Sequence, residues 1–145
     1  MKRGALTWVL VQAVSVAAVV FTGAAGAWFR VNAPLSQQTL RNAVAKLRSQ
    51  ANETAVLLDE RHLGLAKDDF VREHARQLGN LVDAEVDGLV GKTVSPFLAD
   101  DKESTVTQGR ALRSLLEHAD LEATMDAKRI AQALDDIDAT LPPNP

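Results

Sequence analysis

Residues 36–62, SQQTLRNAVAKLRSQANETAVLLDERH, decide the fold. Leu40, Val44, Leu47, Ala51, Thr54 and Leu58 recur at spacings of 4, 3, 4, 3 and 4. That is the period of a helix with one apolar face. Ser36 is a suitable N-cap and Gly64 a suitable stop. Arg41, Lys46, Arg48, Glu53, Asp59 and Glu60 fall off the seam. The pattern predicts one helix from Ser36 to His62. Its seam suits either one wall of a bundle or a short dimeric coiled coil, weak at Ala51 and Thr54.

The chain continues in the same register towards its C-terminus. Val71, Ala75, Leu78, Val82, Val86 and Leu89 predict a second helix, capped by Asp68 and ending near Val90. Ser95–Pro96 is a helix-start signal. A third helix is expected from about Ser104 to Ala119 on Leu112, Leu115, Leu116 and Ala119. A fourth is expected from Asp120 to about Thr140 on Leu121, Met125, Ile130, Leu134, Ile137 and Leu141, unless the two are one long helix. Strict alternation and clusters of β-branched or aromatic residues are absent from residues 31–145, which argues against strands. The fold class is therefore all-α: a three- to four-helix antiparallel bundle, or a helical hairpin or coiled-coil domain, over residues 36–141. Residues 31–35 read as a linker around Pro34, and residues 142–145, Pro-Pro-Asn-Pro, as a frayed, disordered tail.

Upstream, Gly4 to Phe29 is a run of 26 residues without a charge. A bilayer core about 30 Å thick needs roughly 20 apolar helical residues. Trp8 and Trp28, the only tryptophans, lie about 30 Å apart if the run is helical. Tryptophan favours the membrane–water boundary. With Lys2, Arg3 and Arg30 outside them, they read as two interface anchors. Residues 1–30 are thus expected to be an N-terminal transmembrane signal anchor. The rival is a cleaved signal peptide ending at Ala25–Gly26–Ala27, although the apolar stretch is long for one. Lys2 and Arg3 favour an internal N-terminus, against the pull of Arg30, Arg41, Lys46 and Arg48. The expected location is the bacterial inner (cytoplasmic) membrane, with the helical domain periplasmic. Ala13/Ala17 and Gly23/Ala27 are small-xxx-small pairs of the kind that let membrane helices approach.

Composition narrows the function. The 145 residues include no cysteine, which excludes disulfides, thiol catalysis and thiolate metal sites. Net charge is −3, unlike a basic nucleic-acid binder. Residues 34–82 carry seven Lys/Arg against six Asp/Glu, and residues 83–145 six against thirteen. One reading of this gradient keeps the acidic end away from an anionic lipid surface.

The motifs that resemble chemistry fail in detail. Asp83, Glu85, Asp87 and Gly88 imitate the start of a calcium loop, but Val82 and Val86 carry a helical stripe through it, and Val94 stands where the closing Glu belongs. Gly91–Lys92–Thr93 imitates the end of a phosphate-binding loop, with Val86 at the required upstream glycine. His62, His74 and His118 make no H-x-x-x-H pair. Asn52–Glu53–Thr54 is a glycosylation acceptor only in a eukaryotic secretory route. No catalytic, cofactor-binding or metal-ligating residue is expected.

The layout of one N-terminal anchor and one helical external domain is similar to that of several bacterial envelope proteins, in architecture and not in any motif. The expected role is an adaptor, tether or accessory subunit that is not an enzyme. It would contact the membrane, another membrane or envelope protein, or itself, and no nucleic acid. Leu40, Val44, Leu47, Leu58, Val71, Leu78 and Val82 are the candidate helix interface. The alternative is an extracytoplasmic sensor or ligand-binding helical bundle.

Overall fold

The computed structural model describes residues 34–118 and 123–142. These form four helices and one 3-10 turn: α1 (Gln37–His62), α2 (Asp68–Val90), the turn Pro96–Leu98, α3 (Ala99–Glu117) and α4 (Ala123–Thr140). There are no strands among the described residues. None of these helices is long and apolar enough to cross a membrane. The Gly4–Phe29 run lies outside the described residues. Residues 1–33 and 34–145 are separate units.

Local signals set the ends of α1. The Ser36 hydroxyl accepts the Thr39 N–H at 3.1 Å. At the other end Gly64 adopts φ +70°, a conformation that side chains disfavour. The Gly64 N–H then reaches the Arg61 carbonyl and the Leu65 N–H the Glu60 carbonyl, the hydrogen-bond pair of a Schellman stop. Helix α2 starts one residue earlier than a cap at Asp68 would give. Lys67 is its N-cap and provides no side-chain bond, while Asp68 and Asp69 occupy the first turn, where they favour the positive helix end. Helix α3 begins at Ala99, five residues before the expected start, and stops at Glu117, so α3 and α4 are two helices. The expected cap Asp120 and the stripe residues Ala119 and Leu121 lie outside the described residues.

The helices run up, down, up and down. Arg41, Arg48 and Asp59 of α1 pair with Asp138, Asp135 and Lys128 of α4 in reversed order. Lys46 and Glu53 of α1 pair with Glu85 and His74 of α2 in the same sense. Each helix therefore lies beside its chain neighbours, and α4 closes the square against α1. The bundle has a base, where residues 34 and 142 lie, and a tip at the α1–α2 turn.

The core is aliphatic. Leu40, Leu47, Leu89, Leu112, Leu134, Val44 and Val82 are fully enclosed. Each such side chain contributes about 1.5–3 kcal/mol by leaving water. Small residues set the closest approach: Ala43, Ala51 and Ala55 on α1, and Ala123, Ala127 and Ala131 on α4, are all buried. Ala51 and Thr54, the weak centre of the α1 seam, are completely buried. The Thr54 and Thr105 hydroxyls donate to the carbonyls of Gln50 and Asp101, one turn back, and so carry no unmet donor into the core. Met125, expected in the core, is 57% exposed. Alanines 123, 127 and 131 face inward instead.

The base corrects two sequence expectations. Leu35 is not linker: it is buried, and its N–H donates to the Thr93 carbonyl at 2.8 Å. Pro142 is not frayed. Arg41 donates to its carbonyl at 2.7 Å, to the Leu141 carbonyl at 3.0 Å and to Asp138 at 3.2 Å, and the Gln37 amide also donates to Pro142. One guanidinium thus ties the start of α1 to the end of α4. Residues 143–145 lie outside the described residues.

Candidate functional site

The seven residues expected to meet a partner do not reach the surface. Leu40, Val44, Leu47 and Val82 are 0% exposed, Leu78 2%, Val71 3% and Leu58 4%. The seam of α1 and the stripe of α2 face each other and the other two helices, so the chain covers its own apolar faces. These residues are core and not an interface, and α1 is a bundle wall. The membrane anchors Lys2, Arg3, Trp8, Trp28 and Arg30 lie outside the described residues.

What the surface does present is uneven. Among the described residues, Val56, Leu63, Leu65, Phe70, Leu81, Val90, Phe97 and Met125 are the exposed large apolar side chains. The first six belong to the α1–α2 hairpin, and only Phe97 and Met125 lie elsewhere. Exposed apolar residues scattered singly need no explanation, but a concentration on one hairpin does. At the tip, the Schellman stop holds Leu63 and Leu65 in a fixed turn. In that motif the residue at Leu65's position normally packs back on its helix. Here it would meet Glu60, and Leu65 stays 75% exposed.

Two polar pairs bridge the outer face of the hairpin. Lys46 Nζ lies 2.7 Å from Glu85, and His74 Nε2 lies 2.8 Å from Glu53. The Phe70 ring centroid sits 5.5 Å from that of His74. On the adjoining α2 surface, Arg76 and Gln77 both donate to Glu73. These bonds, Arg76 first, hold the Glu73 carboxyl down to about 2. A groove between α1 and α2 near the base includes Asn42, Ala45, Lys46, Glu85 and Gly88.

The motifs set aside on sequence occupy structural roles. Asp83, Glu85 and Asp87 lie within α2, not in a loop. In the Gly91–Lys92–Thr93 turn, the Lys92 carbonyl accepts Lys102 and the Thr93 carbonyl accepts Leu35. This turn fastens the base. His118 bonds back to the Ser114 carbonyl. Among the described residues no group of three or more His, Asp or Glu side chains gathers as a metal site. Other grooves along the helices are open and mixed in lining. One beside the tip includes Arg61, Asp68, Arg72 and Glu117, and one between α3 and α4 includes Leu115, Asp126 and Ile130.

The charge gradient also changes meaning once folded. The acidic C-terminal portion is remote from residue 34 in sequence but not in space. The antiparallel course returns Asp135, Asp136 and Asp138 to the base. There the Thr140 hydroxyl reaches Asp101 on α3. Carboxylates therefore collect where the chain enters the bundle, and not at an end held away from it.

Sequence reasoning missed Val56, Leu81 and Phe70 because it sought the strongest stripe on each helix, and the strongest stripe is the core. Val56 carried one signal: it is apolar, yet sits off the heptad. Compared with known protein families, curated proteins and solved structures, the chain matches none.

Proposed function

We propose that this protein is a membrane-anchored adaptor or tether, held in a bacterial inner membrane by residues 4–29, with its bundle on the periplasmic side. It acts by helix contacts with another envelope protein, itself, or both. The observation that carries the reading is the concentration of exposed large apolar side chains on the α1–α2 hairpin, six of the eight among the described residues. The uncharged run bounded by Trp8 and Trp28 supports the anchor. The closed aliphatic core supports a rigid presenting body over a chain that folds only on binding.

The test is a pull-down of the full chain from its native membranes in mild detergent. We expect a stoichiometric protein, or a differently tagged copy of the chain, to accompany the wild type and to be lost with Leu81→Asp. Recovery of the chain alone, unchanged by Leu81→Asp, contradicts the reading.

A further inference from the structure

We infer that the outer face of the α1–α2 hairpin binds a second copy of this chain, side by side and parallel, about a two-fold axis along the helices. This names the partner in the reading above and rests on its claim that the protein works through helix contacts.

The geometry of the face is the argument. Lys46–Glu85 and Glu53–His74 bridge the two helices and mark which positions face outward. Ser49 and Val56 lie three residues beyond Lys46 and Glu53 on α1. Leu81 and Phe70 lie four residues before Glu85 and His74 on α2. Residues three or four apart share a helix surface. From base to tip the face therefore reads Lys46/Glu85, Ser49/Leu81, Glu53/His74, Val56/Phe70.

A two-fold axis down the middle of this face sets α1 of one copy against α2 of the other. Each level then meets its complement. Lys46 faces a second Glu85, Glu53 a second His74, Val56 a second Phe70, and Leu81 sits over a second Ser49. Reversing one copy breaks this match, because the charged Lys46/Glu85 level then lies near the apolar Val56/Phe70 level. The parallel arrangement places both chain entries, at Pro34, at one end, as two anchors in one bilayer require. The α1–α4 face is a poorer candidate: among the described residues of α4, Met125 is the one exposed large apolar side chain.

The chain has no cysteine, so introduced thiols report only on themselves. Full chains carrying Ser49→Cys and Leu81→Cys, with different tags, are coexpressed and oxidised in membranes. We expect a mixed disulfide dimer. The control pair, Ala111→Cys with Gln132→Cys on α3 and α4, should give none. A charge arm separates contacts between copies from those within one. Lys46→Glu alone and Glu85→Lys alone should each weaken dimerisation about tenfold, since two exposed pairs per dimer turn repulsive and each is worth up to about fivefold. Mixing the two variants should restore the dimer, although each chain keeps its internal like-charged pair. Helicity by circular dichroism verifies that each variant is folded.

A monomeric full chain, equal crosslinking by the control pair, failure of mixing to restore the dimer, or capture of a different protein at Leu81→Cys without self-pairing each overturns the inference. Alkaline extraction keeps the two claims apart. A monomer retained in membranes overturns only the second copy, whereas a dimer released from them overturns only the anchor.

Discussion

At Gly109, α3 passes close against α1 and α2, and replacing it with alanine measures how tightly the core is packed. A Cβ built there lies 2.5 Å from Val86 Cγ2 and 3.5 and 3.6 Å from the two Leu47 methyls. Carbon atoms in contact prefer about 3.5–4.0 Å, so Val86 must yield by roughly 1 Å. It has little freedom: a β-branched side chain on a helix holds one rotamer, and Leu47, against the same new methyl, is fully buried. Overpacking of this kind costs about 1–3 kcal/mol. Against it stands the gain of about 1 kcal/mol for alanine over glycine inside a helix. The net expectation for Gly109→Ala is a loss of about 1 kcal/mol. Gly88→Ala is the control, because the same helix gain applies at an exposed site with nothing within 4 Å. It should stabilise by about 0.5–1 kcal/mol. The two variants should therefore differ by about 1–3 kcal/mol, the overpacking cost with propensity cancelled. Thermal melting of the full chain in mild detergent at 222 nm reads this as Tm values several degrees apart, at roughly 4–8 °C per kcal/mol. Val86→Ala, costly alone, should cost less when combined with Gly109→Ala, since the lost methyls make the room the new one needs. Equal stability of Gly109→Ala and Gly88→Ala would refute the packing described here.

Three further outcomes follow from the same structure. Leu47→Asp should abolish cooperative folding, because its carboxylate would be buried in an aliphatic core, whereas Leu81→Asp should keep full helicity; circular dichroism distinguishes them, and a folded Leu47→Asp would contradict the core assignment. Arg41→Ala should destabilise by about 1–2 kcal/mol, through lost charge-assisted bonds to α4 on a partly exposed side chain, and hydrogen exchange should quicken at residues 137–141 before anywhere else. The Glu73 carboxyl should titrate near 2 by carbon-13 NMR, against an ordinary 4.5, and move up in Arg76→Ala. Since its folded value is depressed, whatever stability it contributes is complete above about 4.5 and is lost as pH falls towards 2.

Much of this fold is legible in the residues. Ser36 and Gly64 bound α1 to within one residue because a cap and a left-handed glycine act locally. The α2 stripe is read correctly because valine and leucine dominate it. Helix α3 is read too short because its first turns bury Thr105, Val106 and Gly109, small and partly polar groups that make no hydrophobic stripe. The phase of α4 is misjudged at Met125 for a related reason: alanines pack against α1, and bulk alone does not predict that. The interaction surface is the least legible part. A heptad such as Leu40–Leu58 signals that a face will be covered, but not whether the cover comes from the same chain. Only the bundle shows that the seam is enclosed and that Val56, Phe70 and Leu81 remain outside.

The most direct test of the central claim is alkaline extraction of membranes containing the full chain with a C-terminal tag, followed by its intact mass. An anchored adaptor predicts a protein that stays with the membranes at the mass of all 145 residues plus the tag. Release into the supernatant, either whole or shortened to begin at Trp28, would contradict it.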